Sequence, residues 1–162
     1  MLILSRSPTF APFKRFMDNP IKEHFRSILG KGPVDGLPGF SGWLRAELID
    51  MTDDSMTIAV PVREDMCNPA GSLHGGVQAA ILDEVMGMMT ATLGLETHFV
   101  ALNITVDFQR PAFAGQTLHA KAEVVRKGRS VVYLNSSLLA PDGKLVARCT
   151  QNMVSSGISL KH

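Results

Sequence analysis

The apolar positions of this chain change period twice. From Gly42 they recur at every second residue: Leu44, Ala46 and Leu48 alternate with Arg45 and Glu47, and Met56, Ile58, Val60 and Val62 form a second such face. Two strands are predicted, with "TDDS" as the hairpin turn between them. Pro61, which has no N–H to give a ladder, belongs at an edge or a strand end. Between Gly76 and Gly94 the alternation stops and nearly every residue is Val, Ala, Ile, Leu or Met, which predicts a helix that is apolar on all sides. The period of two then returns in four segments. Val100, Leu102, Ile104, Val106 and Phe108 alternate with Asn103, Thr105 and Asp107; Leu118, Ala120, Ala122 and Val124 alternate with His119, Lys121 and Glu123. "VVYLNSSLL" follows the turn "RKGRS", and "LVARCTQNMV" follows "APDGK", where proline fixes φ and glycine supplies φ > 0. Two strands, a long helix and four more strands predict an α+β domain, its helix laid on the apolar face of one antiparallel sheet.

Residues 1–40 are of another kind, interrupted by Pro8, Pro12, Pro20, Pro33 and Pro38. They read as an N-terminal extension with room for one short helix in "NPIKEHFRSILGKG", capped by Asn19, with Pro20 in its first turn and Gly30 or Gly32 at its end. The main domain is expected over residues 41–157, with a tail at 158–162. The apolar stretch 76–94 is long enough to be weighed as a membrane span, but Gln78, Asp83 and Glu84 in its first half argue against that. "MLILSRSPTFAPFKRF" has too few apolar residues for a secretory signal. A soluble, cytoplasmic protein is expected. A net charge of +1 gives no electrostatic footprint for nucleic acid or an anionic membrane. Cys67 and Cys149 are too few for a disulfide framework and read as core or near-core residues of a reduced protein.

The chemistry is concentrated in "NPAGSLHGGVQAAILDEVMG". "HGG" opens the helix, where the amides of Gly75 and Gly76 and the positive end of the dipole could hold a developing oxyanion. Asp83 follows His74 by nine residues, roughly 13 Å along a helix, so the two cannot serve one small reacting group within a chain. A helix that is apolar all round also has one side left over after a single sheet covers the other. Both points are met by an antiparallel homodimer, in which Asp83 of one subunit approaches the helix N-terminus of the other and symmetry makes two sites. Glu84 points about 100° away from Asp83 and fits a structural ion pair or a substrate contact. His74 could equally be a hydrogen-bonded turn residue, and Asn68 could simply start an Asx turn before Pro69. His24, His98, His119 and His162 have no ligand-like spacing.

Asn68, His74, Gly75, Gly76 and Asp83 in the spacing N-x5-HGG-x7-D, followed by "VDFQRPAFAGQTL", resemble the hotdog-fold acyl-CoA thioesterases of the phenylacetate-degradation (PaaI) type, within the wider 4-hydroxybenzoyl-CoA thioesterase family. The resemblance covers residues 42–155. It implies a six-stranded antiparallel sheet wrapped around the long helix, and a homodimer that often pairs again into a dimer of dimers. The implied activity is hydrolysis of an acyl-CoA, aryl-acetyl or medium-chain, with CoA as part of the substrate and with neither cofactor nor metal. On this resemblance the Gly75 amide polarises the thioester carbonyl, the partner's Asp83 is nucleophile or general base, Asn68 positions water or carbonyl, and His74 organises the turn. Where some relatives carry a water-holding hydroxyl on the strand after the helix, this chain has Phe99. The phosphates of CoA need cationic or N–H donors. Lys127, Gly128, Arg129 and Ser130 of "RKGRS" are the candidates, with an exposed solvated turn as the plain reading, and Arg110 either anchors the turn before Pro111 or meets the nucleotide. Met86, Met88 and Met89 fit a core and would also suit a tolerant acyl site. A non-catalytic acyl-CoA-binding or regulatory hotdog protein is the alternative, and a hotdog dehydratase a third reading.

Overall fold

The structure, a computed structural model, describes residues 19–33 and 37–160. Most of the proline-interrupted extension, and His162, lie outside the described residues. The short helix of the extension is α1, Pro20–Ile28. Asn19 caps it by accepting from the amides of Ile21 (3.1 Å) and Lys22 (3.3 Å), with Pro20 at its start.

The stretch that alternation assigned to the first strand begins differently. Gly39–Leu44 forms a short helix, α2; Arg45 then turns left-handed (φ 53°), and strand β1 runs only from Glu47 to Met51. Leu44 and Leu48 are both buried, so the apolar spacing survives while the backbone changes between them. A two-residue period therefore ran unbroken across two different elements.

The remaining expected elements are present: β2 (Ser55–Pro61), α3 (Gly75–Ala91), β3 (Thr97–Phe108), β4 (Thr117–Lys127), β5 (Val131–Leu139) and β6 (Leu145–Ser159). Pro61 is the last residue of β2, where the missing N–H costs no ladder bond beyond it. β6 runs into the expected tail as far as Ser159. The six strands form one antiparallel sheet in the order β1-β2-β4-β5-β6-β3, with α3 against it. Ile81, Leu82, Val85, Met86 and Met89 of α3 are sealed against Met56, Ile58 and Val60 of β2, Leu118, Ala120 and Ala122 of β4, and Leu134 and Leu138 of β5. Each large side chain removed from water in this way contributes about 1.5–3 kcal/mol before entropy is counted. Met88 is half-buried. Among the described residues no helix is long and apolar enough to cross a membrane.

β3 departs from the simple alternation. Its register with β6 shifts between Ala101 and Asn103, so Leu102 is an extra residue. One extra residue exchanges the two faces of a strand. Phe99 and Ala101 (opposite Ser155 and Met153) therefore share the helix-facing side with Ile104, Val106 and Phe108 (opposite Gln151, Cys149 and Ala147), and Val100 faces the other way. Phe99 is buried, but β3 is an edge strand, and Leu102, Ile104 and Phe108 are 66%, 41% and 55% exposed. The expected apolar row of β3 is thus split by the bulge and left largely uncovered by its own chain.

Candidate active site

The segment ahead of α3 is pinned from two sides. The His74 amide donates to the carbonyl of Met66 (3.0 Å) and the Leu73 amide to that of Ala112 (2.8 Å), while Ser72 forms a bridge with Phe113. The residues of "RPAFAG" thus hold the start of α3 in place. Asn68 spends its side chain within this loop: Oδ1 accepts from the amides of Ala70 (3.0 Å) and Ser72 (3.2 Å), and Nδ2 donates to the Ser72 hydroxyl (3.0 Å). This is the Asx-type turn weighed for it from the sequence.

His74 is the N-cap of α3. Its Nδ1 accepts from the Gly76 amide at 2.9 Å, so the neutral ring carries its proton on Nε2, and the exposed ring has that donor to offer. The Gly76 amide is therefore used by the cap, whereas the Gly75 amide, at the first helical position, has no hydrogen bond within the helix or to the described residues. Of the two glycines, Gly76 is the one that close approach requires. A β-carbon on Gly75 would lie 3.4 Å from the Phe108 ring, and one on Gly76 would lie 3.1 Å from His74 Nδ1, tight enough to disturb the cap. Gly75, the helix dipole and the His74 Nε2–H together make a small donor cluster suited to a developing oxyanion.

Asp83 is exposed, on a side of α3 that the sheet leaves open and that it shares with Gly76 and Ala91. Its Oδ1 accepts a very short hydrogen bond from Nε2 of Gln151 on β6. Beside Gln151 on the same inward row lies Cys149, whose thiol is pushed up to about 11 by burial and, more weakly, by the Asp83 charge, and so stays neutral. Glu84 points elsewhere, as adjacent helical residues must. It is half-buried and accepts a very short hydrogen bond from the Ser41 hydroxyl, which ties α2 to α3.

The cationic candidates lie apart from this centre. Lys127 donates to the carbonyl of Leu93 (2.5 Å), just beyond the C-terminal end of α3, about 25 Å from Gly75 at helical rise. The Gly128 amide closes the turn on the Val131 carbonyl (2.9 Å), the Ser130 carbonyl accepts from Ser155, and Arg129 and Ser130 are exposed. Arg110 donates to the Leu145 carbonyl (2.9 Å) and so anchors the turn. It also lines a shallow cavity of about 280 Å³ with Gln116, Asp142 and Lys144, which neither Gly75 nor Asp83 touches. Among the described residues no group of three His, Cys, Asp or Glu side chains is placed to hold a metal ion.

Two partners were not read from the sequence. Gln151 interrupts the inward row Ala147, Cys149, Gln151, Met153 with an amide, and that interruption was the available signal. Ser41 carried none, because it lies in the stretch whose helix was missed.

The thioesterase superfamily model matches residues 70–147. The acyl-coenzyme A thioesterase PaaI of Escherichia coli is 31% identical over 104 residues, 64% of this chain and 73% of that protein. Mouse acyl-coenzyme A thioesterase 13 is 28% identical over 116 residues, 69% of this chain and 81% of that protein. The solved structure of the Escherichia coli PaaI protein from the phenylacetic acid degradation operon has a TM-score of 0.65 at 28% identity, covering 69% of this chain and 84% of that one. A hypothetical thioesterase from Streptococcus pneumoniae, solved with coenzyme A, has a TM-score of 0.67 at 23% identity, covers 77% and 97%, and speaks for the fold alone.

Proposed function

The chain belongs to the thioesterase superfamily and has its hotdog fold, and from that premise we propose that it hydrolyses acyl-CoA thioesters, aryl-acetyl or medium-chain, to the free acid and CoA. The observation that carries this reading is Asp83, an exposed carboxylate on an uncovered side of a helix otherwise sunk in the core, held in place by a buried amide. A charge so placed has a partner to meet outside its own chain.

That partner is a second copy. Asp83 lies eight residues beyond Gly75, about 12 Å along the helix and about 80° round it. An oxyanion donor must stand about 2.7–3.1 Å from the oxygen it stabilises, so Gly75 and Asp83 of one subunit cannot act on one carbonyl. A dimer that pairs β3 with β3 covers the exposed Leu102, Ile104 and Phe108 and satisfies a long unpaired edge. Antiparallel packing of the two α3 helices then brings the partner subunit's Asp83 to Gly75, and the "RKGRS" turn of each subunit toward the other's helix N-terminus, where CoA phosphates can be met.

In the proposed reaction the thioester carbonyl accepts from the Gly75 amide, with the His74 Nε2–H beside it. The partner's Asp83 attacks the carbonyl carbon directly or takes a proton from the water that does. The C–S bond breaks, CoA leaves as thiolate and is protonated, and water supplies the second oxygen of the acid. Asn68, whose side chain is occupied by its own loop, and Phe99, which has no hydroxyl, are poor holders of water, and this favours direct attack. The site's chemistry draws on no metal or cofactor.

Hydrolysis of a panel of acyl-CoAs by the wild type and Asp83→Asn tests the proposal. The wild type is expected to release CoA and the variant to lose turnover by about 10²–10⁴-fold with binding retained. Binding without turnover by the wild type would make the chain an acyl-CoA-binding protein instead.

A further inference from the structure

Gln151 is almost completely buried, at 1% exposure, in the middle of the sheet's inner surface, between Leu134 on β5 and Ile104 on β3. An aliphatic side chain of similar size would fill that place without cost. The amide does not: Nε2 is bonded to Asp83, but Oε1 is buried and has no partner among the described residues. A buried carbonyl left unpaired is a penalty that packing does not explain. What the glutamine gains for it is one contact, 68 positions away in sequence, with the single exposed acid of α3.

We propose that Gln151 is a positioning residue for Asp83, fixing Oδ1 so that Oδ2 is the oxygen presented to the thioester. This rests on the role given to Asp83 above. An ionised carboxylate can only accept, so the amide must turn its N–H₂ toward Asp83 and its carbonyl away, the orientation found. The donated hydrogen bond holds Oδ1 in one direction, so the carboxylate keeps one orientation on the open side of α3. The other titratable groups around Asp83 do not compete for this task. Cys149 on β6 is a neutral thiol, and Glu84 on α3 is bonded to Ser41 of α2.

Gln151→Met, which keeps length and removes the donor, is the primary variant, and Gln151→Leu the second should the first not fold. In the full chain, kcat is expected to fall about 10–100-fold with KM nearly unchanged, as is usual for residues that orient a reacting ligand. Gln151→His, which restores a side-chain N–H donor at that place, is expected to regain most of the lost kcat. An unchanged kcat in Gln151→Met, a loss carried by KM instead, or a Gln151→His variant no faster than Gln151→Met overturns the positioning role. If that occurs while Asp83→Asn is inactive, Asp83 keeps its part and only Gln151 loses its own. A fully active Asp83→Asn removes both.

Discussion

If each site is shared between subunits, two dead variants should repair one another. Gly75→Pro removes one N–H and little else. Proline is well tolerated at the first helical position, and His74 before it already has the extended backbone (φ −61°, ψ 135°) that a residue preceding proline needs. The atom nearest to a β-carbon at that position is in the Phe108 ring at 3.4 Å, an ordinary contact. Loss of one oxyanion donor is expected to reduce kcat about 10²–10³-fold. Asp83→Asn removes the other half of the site. When equal amounts of the two variants are unfolded together and refolded, half of the dimers are mixed, and each mixed dimer has one site with both defects and one with neither. Activity should therefore return to about a quarter of the wild-type value, although each parent alone is nearly inactive. CoA release followed with a thiol reagent reads this directly, and mixed dimers purified through two different tags should reach about half. A mixture no more active than its parents would refute the shared site, and with it the reading of the 12 Å separation.

Two further outcomes are expected. Ile104→Lys puts a charge on the uncovered face of β3 and should shift the sedimentation of the protein from that of a dimer toward the 17.6 kDa chain, with loss of activity; an active dimer would show that β3 is not the interface. Because the folded state holds the Cys149 thiol protonated up to about 11, against an ordinary value of 9.0, stability from this group is complete below pH 9 and is lost as pH rises from 9 through 11. Urea midpoints measured at pH 8 and 10 for the wild type and Cys149→Ala should converge at the higher pH, and a difference independent of pH would remove the thiol as the cause.

The strands from β2 onward and the core helix were legible because their apolar periods of two and the unbroken run of α3 are local properties of the chain. α2 was not, since Leu44 and Leu48 keep a strand-like spacing across the left-handed Arg45. Nor was the bulge at Leu102, which leaves the alternation intact on paper while turning Phe99 inward and Val100 outward. In the candidate site the helix cap and the loop before it were readable from "NPAGSLHGG", because caps and Asx turns join residues a few positions apart. The partners of Asp83 and Glu84 were not. Gln151 and Ser41 stand 68 and 43 positions from them and meet them only once the sheet has closed. Asp83 and Glu84 look alike in sequence, and it is these distant partners that separate an exposed acid held by β6 from a half-buried one that fastens α2.

The position of β3 also sets an order of events during synthesis. β3 leaves the ribosome directly after α3, but the strand beside it in the sheet is β6, the last one made. Until Leu145–Ser159 has emerged, β3 has no neighbour within its own chain, and once β6 arrives it is bonded along one side only. The strand that must wait for the end of the chain is thus the same twelve residues proposed to meet a second copy. If β3 is that interface, the rate of becoming whole should depend on how many copies are being made nearby, and a scarce chain would wait longest with this edge uncovered.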